Sequence, residues 1–396
     1  MIRKISIIFA LLSPLLLRAQ TLDSFVDNAY NNSVSKIELQ EKTKTLEYQK
    51  EAYLSVEPLL FESGIRNIKA NDAINNGNEY SVMLATSIKN PIIKKSRIQE
   101  YASETKILDF ESNISRKLLL ISIKNIYLQA LLDKEITQIY MLKNDAAKKA
   151  LEAAKAKKSM GRISQMELSR FEVDYKVALQ ESSKAAHAYE EKQNLLRNLT
   201  LSDEDIVLDD LFFYYIRENN IENALNDSVF FQLYDAKNES LLKQMQTLHN
   251  SKIETINFGV GMTQEVTQKS IDFKLSFPLS WGEKNEKQIA ALMTQQSSLH
   301  QQKELSRKKI SHYIKQALSH LSEIENMIHD SQEIEKRNKS LFEMSAKGYE
   351  NGAVALFEYL ETRSRFYGAS IETMKTKQMY VEELSKLEEE TGRIWK

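Results

Sequence analysis

Residues 256–279, INFGVGMTQEVTQKSIDFKLSFPL, decide the fold because apolar and polar residues alternate there in two runs separated by a polar turn. The apolar residues occupy every second position of the two runs: Ile256, Phe258, Val260 and Met262, then Ile271, Phe273, Leu275, Phe277 and Leu279. Period-two alternation is typical of a β-strand with one apolar and one polar face, and the pair of runs predicts a hairpin. A second hairpin is predicted in the first half of the chain, where Tyr80, Val82 and Leu84 mark the stronger strand and residues 59–65 a weaker one.

Each of these four predicted strands is roughly ten residues long, which is the length of a tilted strand that spans a membrane. Four strands do not close a barrel, since the smallest transmembrane β-barrels have about eight strands. An open edge is not tolerated in lipid, so several chains would have to pool their strands. A soluble four-stranded sheet covered by helices fits the alternation equally well. The signal peptide and the long helices described below favour the pooled barrel.

Two long intervals without glycine or proline follow the hairpins. They run from Ile92 to Met160 and from Glu283 to Lys347, and at a rise of 1.5 Å per residue each predicts a helix of roughly 100 Å. Apolar residues of the second interval have the four-three spacing of a heptad seam: Ile310, Ile314, Ala317, Leu321, Ile324 and Ile328. Such lengths are typical of coiled coils and tubes, although an ordinary antiparallel bundle also fits the pattern.

Prolines mark the step from each hairpin to its long helix. Pro91 and Pro278 are predicted to end the second strand of each hairpin just before the helix, where a missing N–H costs least.

The chain contains two copies of one plan. Residues 28–34, NAYNNSV, return as residues 223–229, NALNDSV. Further matches follow at a constant offset of 191 residues: Gly161, Glu167, Ala178, Tyr189 and Leu196 return as Gly352, Glu358, Ala369, Tyr380 and Leu387. The mature chain is therefore predicted to consist of two similar repeats.

A secretory signal peptide is predicted for residues 1–19, because Arg3 and Lys4 precede a short apolar stretch, Ile5 to Leu17, and the small residue Ala19 offers a cleavage point. No cysteine follows the cleavage region, so no lipid anchor is expected there. The rest of the chain is predicted to divide into three parts: a first repeat, 20–205, with a β-hairpin near 57–91 and a helix hairpin whose tip lies near 161; an equatorial connector, 206–222; and a second repeat, 223–396, with a β-hairpin near 252–280 and a tip near 352.

Composition excludes several classes of protein. The 396 residues include four prolines, ten glycines and no cysteine. The absence of cysteine excludes a disulfide framework, a cysteine zinc site and a thiol nucleophile. A net charge of −1 gives no field that would attract nucleic acid. There is no phosphate-binding loop, no Gly-x-Ser-x-Gly and no His-Glu-x-x-His, and Gly259 and Gly261 are expected to relieve crowding within a strand. We therefore predict no enzyme activity, no cofactor and no metal site.

Taken together, these features resemble the TolC family of outer-membrane efflux channels. The resemblance rests on the signal peptide, the duplicated helix–hairpin–helix plan, the strand-ending prolines, and four segments: the paired Asn-Ala motifs, residues 277–279 (FPL) followed by Gly282, residues 161–167 (GRISQME) and residues 349–352 (YENG). It covers essentially all of the mature chain.

The resemblance implies a mainly α fold with a small β part. Three chains would form a homotrimer in which their pooled strands make a twelve-stranded barrel in outer-membrane lipid. The helices would form a tunnel across the periplasm, and the residues near 209–215 would contribute to a belt around it. A periplasmic adaptor (membrane fusion protein) and an inner-membrane transporter would be the partners, with no nucleic acid. Drugs, metal ions and secreted polypeptides all stay open as cargo.

The resemblance also implies the functional residues. Gly161 and Gly352 would form the turns at the periplasmic tip, and rings of carboxylates near those turns are the usual means of favouring cations. Four residues are candidates for the pore constriction: Glu167, Tyr349, Glu358 and Glu361. The simpler interpretation of the glutamates is a solvated helix face with favourable acids at helix N-termini. Val354 stands where the family has a basic residue that helps to close the tip, so we expect closure to differ here.

A periplasmic coiled-coil adaptor that never enters a membrane is the alternative function. Such a protein would have one helical hairpin between the split halves of a β-domain. The duplication and the lipid-length strands favour the channel.

Overall fold

A computed structural model describes residues 27, 29–69, 77–200, 208, 215–217, 220–278 and 283–395. The predicted signal peptide lies outside this part of the chain, as do residues 209–214 of the predicted connector and Gly282. The described elements are seven helices and four strands. The helices are α1 (Val34–Leu54), α2 (Pro91–Ser159), α3 (Gln165–Thr200), α4 (Ile221–Asn226), α5 (Val229–Asn250), α6 (Lys284–Glu350) and α7 (Leu356–Thr391). The strands are β1 (Leu60–Ile68), β2 (Gly77–Lys89), β3 (Thr255–Gln264) and β4 (Lys269–Ser276).

The predicted fold class, mainly α with a small β part, is confirmed by these elements. The two longest helices, α2 with 69 residues and α6 with 67, occupy the two intervals without glycine or proline. Pro91 is the first residue of α2 and Gly348 lies in the last turn of α6, so neither proline nor glycine interrupts the two helices between their ends. No described helix is long and apolar enough to cross a membrane.

Two compact units make up the chain. The first contains Met1–Asn31, Ile123–Tyr214 and Ile334–Lys375, and the second contains Asn32–Ser122, Tyr215–Glu333 and Thr376–Lys396. The first unit holds the turns between α2 and α3 and between α6 and α7. The sheet lies in the second unit together with α1, α4 and α5.

The heptad seam of α6 is its buried face in the second unit. Ile314, Ala317, Leu321 and Ile328 are buried, and Ile310 and Ile324 are half-buried. The residues between them on α6 face solvent in most positions. The four-three spacing therefore identified the packing side of this helix, as expected for apolar residues that recur on one helical face.

All four strands form one antiparallel sheet in the order β1-β2-β3-β4. Its central pair joins β2 of the first repeat to β3 of the second, with Leu84 opposite Val260. The outer pairs place Phe61 opposite Leu84 and Val260 opposite Phe273. β1 and β4 are consequently the two edges of the sheet within this chain.

One face of the sheet, which we call the apolar face, carries eleven large exposed side chains. It contains Phe61, Ile65, Tyr80, Val82, Leu84, Phe258, Val260, Met262, Ile271, Phe273 and Leu275. A contiguous set of this size is unusual on a soluble monomer and indicates a surface that meets lipid or protein. The covered sheet considered above is not what this chain forms by itself.

The opposite face, the polar face, carries small and polar residues. Met83 lies between Gly259 and Gly261, and a Cβ atom built on Gly261 would lie 2.8 Å from the backbone oxygen of Val82 and 3.2 Å from Cβ of Met83. No side chain fits at position 261 without a shift of backbone, so the expectation that glycine relieves crowding there is confirmed.

Candidate functional site

The candidate site is the pair of turns at residues 160–164 and 351–355, which we call the tip. Both belong to the first unit. They connect α2 to α3 and α6 to α7, so the corresponding residues of the two repeats lie in corresponding turns.

Both turns end their first helix in the same way. Gly161 and Gly352 have positive φ angles of 70° and 75°. The Gly161 N–H donates to the Lys158 carbonyl and the Arg162 N–H to that of Lys157, each at 2.9 Å. Matching bonds at the second turn join Gly352 to Tyr349 (3.2 Å) and Ala353 to Gly348 (2.8 Å). This pair of bonds is the Schellman motif, whose left-handed residue is usually glycine because glycine has no Cβ atom to clash there.

Glu167 belongs to a capping box at the start of α3. Its carboxylate accepts a hydrogen bond from the Ser164 N–H at 2.7 Å, and the Ser164 hydroxyl accepts one from the Glu167 N–H at 3.1 Å. The backbone N–H of Ser164, and then its side chain, lower the pKa of Glu167. The pattern Ser-x-x-Glu was present in the sequence as a signal for this arrangement.

Glu358 occupies the corresponding position of α7, but Ala355 replaces the capping serine. The Glu358 side chain is exposed and has no hydrogen-bond or ion-pair partner in the described part of the chain. The two repeats thus present one engaged and one free carboxylate.

Glu361 lies one turn further along α7 and forms an ion pair with Arg365, four residues later, at 2.6 Å. This pair is largely exposed, so it reduces the local negative charge without contributing much to stability.

Tyr349 packs inside the tip. Its ring stacks on that of Tyr359 with the centroids 5.0 Å apart, and Nζ of Lys157 lies 4.2 Å from the Tyr349 ring centroid. Both tyrosines pack on a buried cluster formed by Leu151, Ala154, Phe171 and Leu356. Burial raises the pKa of Tyr349, and the nearby Glu167 carboxylate adds to the effect. The cluster draws side chains from both helix hairpins, so it holds the two turns together.

Val354, where a basic residue was expected in the family, makes an apolar contact instead. A Cβ atom on Gly348 would lie 2.4 Å from Cγ2 of Val354. Glycine at 348 therefore allows the valine side chain to cover the last turn of α6.

An ion pair that sequence reasoning missed connects the two hairpins. Nη2 of Arg363 on α7 contacts Oδ2 of Asp174 on α3, and Arg363 is only 2% exposed. Nη1 of the same guanidinium is buried and has no hydrogen-bond partner among the described residues. The guanidinium also lies over the Tyr359 ring, 5.5 Å from its centroid. The partners are 189 residues apart, so no local pattern in the sequence indicated the contact.

Pro91 and Pro278 each lie between the second strand of a hairpin and the long helix that follows it. Pro91 is the first residue of α2, two positions after β2 ends, and the Asn90 side-chain oxygen accepts a hydrogen bond from the Ile92 N–H at 3.0 Å. Proline suits this position because its missing N–H would have no helical partner. Pro278 lies two residues beyond β4. Within the described ranges there is no group of three or more acidic, histidine or cysteine side chains placed to hold a metal ion.

No protein-family model and no curated protein matches the sequence. Solved structures do match the fold over nearly all of the chain. The CmeC outer-membrane channel of Campylobacter jejuni has a TM-score of 0.70 at 15% identity, covering 94% of this chain and 85% of CmeC. For the outer-membrane protein VceC of Vibrio cholerae the TM-score is 0.69 at 12% identity, covering 95% and 97%. For the open state of the MtrE outer-membrane channel of Neisseria gonorrhoeae it is 0.71 at 13% identity, covering 94% and 89%. The chain therefore has the TolC-like fold of the outer-membrane channels.

Proposed function

We propose that this protein is the outer-membrane channel of a tripartite export system. Three copies form a passive exit duct that receives substrates from an inner-membrane pump through a periplasmic adaptor. The exported chain lies in the outer membrane with its helices extending into the periplasm, and it carries out no enzymatic reaction.

The observation that carries this proposal is the exposed apolar face of the sheet. It is made of alternate residues on four strands, while the other face is polar and contains small residues. This is the pattern of a membrane barrel, in which one face meets lipid and the other lines water. The edges β1 and β4 lack partners within the described chain, and pooling strands from several copies satisfies both edges.

The residues at the tip are suited to the periplasmic entrance of such a duct. We propose that Glu167, Tyr349, Glu358 and Glu361 line the periplasmic constriction, with each carboxylate repeated in three copies. Glu358 contributes most to cation preference because its carboxylate is free, whereas Glu167 is engaged by Ser164 and Glu361 by Arg365.

An adaptor would contain one helical hairpin between halves of a β-domain. The described chain contains two helical hairpins, α2–α3 and α6–α7, and a sheet shared between both repeats. These features favour the channel over the adaptor.

Membrane fractionation tests the proposal. We expect the protein, expressed with residues 1–19, to sediment with the outer membrane and to migrate on unheated SDS gels as a trimer that heating converts to monomers. A monomer in the soluble periplasmic fraction would contradict the channel and support the adaptor.

A further inference from the structure

Charged residues lie on the polar face at both free edges of the sheet. β1 carries Glu62 and Arg66, and β4 carries Asp272 and Lys274. The side chains of Glu62 and Lys274 have no hydrogen-bond or ion-pair partner among the described residues. Arg66, 77% exposed, has only a 3.5 Å contact with Glu79. Each edge therefore presents one acid and one base.

The backbone pattern shows which residues point towards these edges. The Asn90 N–H donates to Glu254, directly opposite it, and the Glu265 N–H donates to Gln268, directly opposite it. Because hydrogen-bonded and non-hydrogen-bonded pairs alternate along antiparallel strands, the odd-numbered residues of β1 and β4 direct their N–H and C=O groups to the free edges. The charged, even-numbered residues would then occupy the non-hydrogen-bonded positions, where opposing side chains are closer.

We infer that β4 of one copy pairs with β1 of a second copy in the register that sets Phe273 opposite Ile65. This inference rests on the proposed channel and specifies its subunit contact. The register places Asp272 directly opposite Arg66 of the second copy, and it places Lys274 opposite Gly64, diagonal to both Glu62 and Arg66. Opposite charges at such positions stabilise paired strands. It also keeps the apolar face continuous from one copy to the next.

Barrel geometry selects the same register. Directly opposite residues run from Gly64 through Ser81 and Thr263 to Ser270 within one chain, and then reach Ile68 of the second copy. The row therefore reaches β1 of the second copy four residues beyond its starting position, Gly64. Summed over three chains, the stagger is twelve residues for twelve strands. A stagger equal to the number of strands corresponds to a tilt of about 36° in eight-stranded barrels. That value lies within the ~35–45° of membrane barrels.

Neighbouring registers fit less well. An advance of two residues per chain sets Lys274 directly opposite Glu62, but it halves the stagger and gives strands less tilted from the barrel axis than the strands of membrane barrels. An advance of six sets Lys274 opposite Arg66, and like charges directly opposite are destabilising. An advance of four in the other direction sets β4 against residues 54–61, most of which precede β1.

Disulfide cross-linking tests the register, since the chain has no cysteine of its own. Phe273→Cys is combined with Ile65→Cys, and in matched controls with Ser63→Cys or Asn67→Cys. These positions leave all four charges in place. Directly opposite hydrogen-bonded residues have Cα atoms about 5.5 Å apart, within the ~4.4–6.8 Å range of disulfides. Residues two positions away lie about 7–8 Å apart.

After oxidation of the protein purified in detergent, we expect covalent dimers and trimers from the pair 273/65 and only traces from the controls. Stronger linking with position 63 or 67, or no linking in a protein that has the native mass of a trimer, would overturn the register and leave the channel standing. A monomeric native mass would overturn the register and the proposed function together.

Exchange of charges provides a second measurement. Asp272→Arg or Arg66→Asp alone is expected to lower the temperature at which the SDS-resistant trimer dissociates, because like charges then lie directly opposite each other at the edge. The double variant is expected to restore it. Failure of the double variant to exceed both single variants would overturn the pairing of these edges.

Discussion

The Glu358 carboxylate is free in the described part of the chain, whereas that of Glu167 accepts a hydrogen bond in a capping box with Ser164, whose position in the second turn is occupied by Ala355. We therefore expect Glu358→Gln to reduce the cation preference of the channel more than Glu167→Gln does, and Glu358→Gln with Glu361→Gln to reduce it furthest. Reversal potentials of single channels in a salt gradient measure the effect. Unchanged selectivity in the double variant would contradict a role for these carboxylates in the pore.

Ala355→Ser tests the role of the Glu358 carboxylate without removing its charge. It creates the sequence Ser-x-x-Glu at the second turn, so the new hydroxyl accepts the Glu358 N–H, and the resulting box brings the Glu358 carboxylate to the backbone N–H of residue 355 as in the first turn. We expect this variant to lower cation preference without removing any charge.

The capping box at Ser164 gives a prediction with a defined pH dependence. The pKa of Glu167 is lower in the folded protein than in the unfolded chain, chiefly through the Ser164 N–H. Its contribution to stability is therefore complete above its ordinary pKa and is lost as the pH falls through the lowered value. Hydrogen exchange of the peptide spanning 160–170, corrected for the pH dependence of the intrinsic exchange rate, should accelerate over that acidic range.

Ser164→Ala should produce the same acceleration at neutral pH, because the Glu167 N–H loses its acceptor. If exchange in this variant equals that of the parent protein at neutral pH, the box does not stabilise the start of α3.

At the scale of the elements, the contact between α3 and α7 depends on Asp174 and Arg363. Asp174→Ala leaves the buried guanidinium without its partner. Removing one member of a fully buried pair costs about 3–5 kcal/mol, and the cost here should be smaller because the Asp174 side chain is 29% exposed. Asp174→Leu with Arg363→Met replaces both charges by apolar groups and should recover most of the loss. Thermal unfolding measures both. Equal destabilisation by the single and double variants would show that the loss of stability does not arise from the unpaired Arg363 guanidinium.

Two lysine substitutions on β4 compare the apolar face of the sheet with its polar face. Phe273→Lys places a charge on the apolar face, where lysine near the bilayer midplane costs about 2–4 kcal/mol. Ser270→Lys places the same charge on the polar face of the same strand. We expect the first variant to reduce the heat-modifiable trimer in outer membranes strongly and the second to have little effect. Equal yields would show that the apolar face does not meet lipid.

The elements illustrate what the sequence could predict. Both the seam of α6 and the alternation of β3 repeat at the period of their own backbone, so a single stretch of chain was sufficient to identify them. β1 was weaker because Ser63 and Asn67 are polar residues at positions of the apolar face. The pairing of β2 with β3 and the contact of Arg363 with Asp174 join residues more than a hundred positions apart, and no local period contains that information. The roles of Glu167, Tyr349, Glu358 and Glu361 in a pore stay predictions for the same reason, since they depend on where three chains meet.

At the scale of the whole molecule, the sheet is incomplete in one chain, whereas the packing of the tip is complete. β1 and β4 have no paired strand on their outer side among the described residues, whereas the buried cluster at the tip and the pair of Arg363 with Asp174 lie within one chain. Stability that comes from association depends on protein concentration by mass action. We therefore expect the dissociation temperature of the trimer in detergent to fall on hundredfold dilution, and Phe273→Lys to steepen that dependence. Asp174→Ala should lower the unfolding temperature by the same amount at every concentration, because it breaks a contact inside one chain. Native mass and circular dichroism followed together during heating separate the two effects. A dissociation temperature that does not change on dilution would mean that the edges find their partners within one chain, and would count against pooled strands.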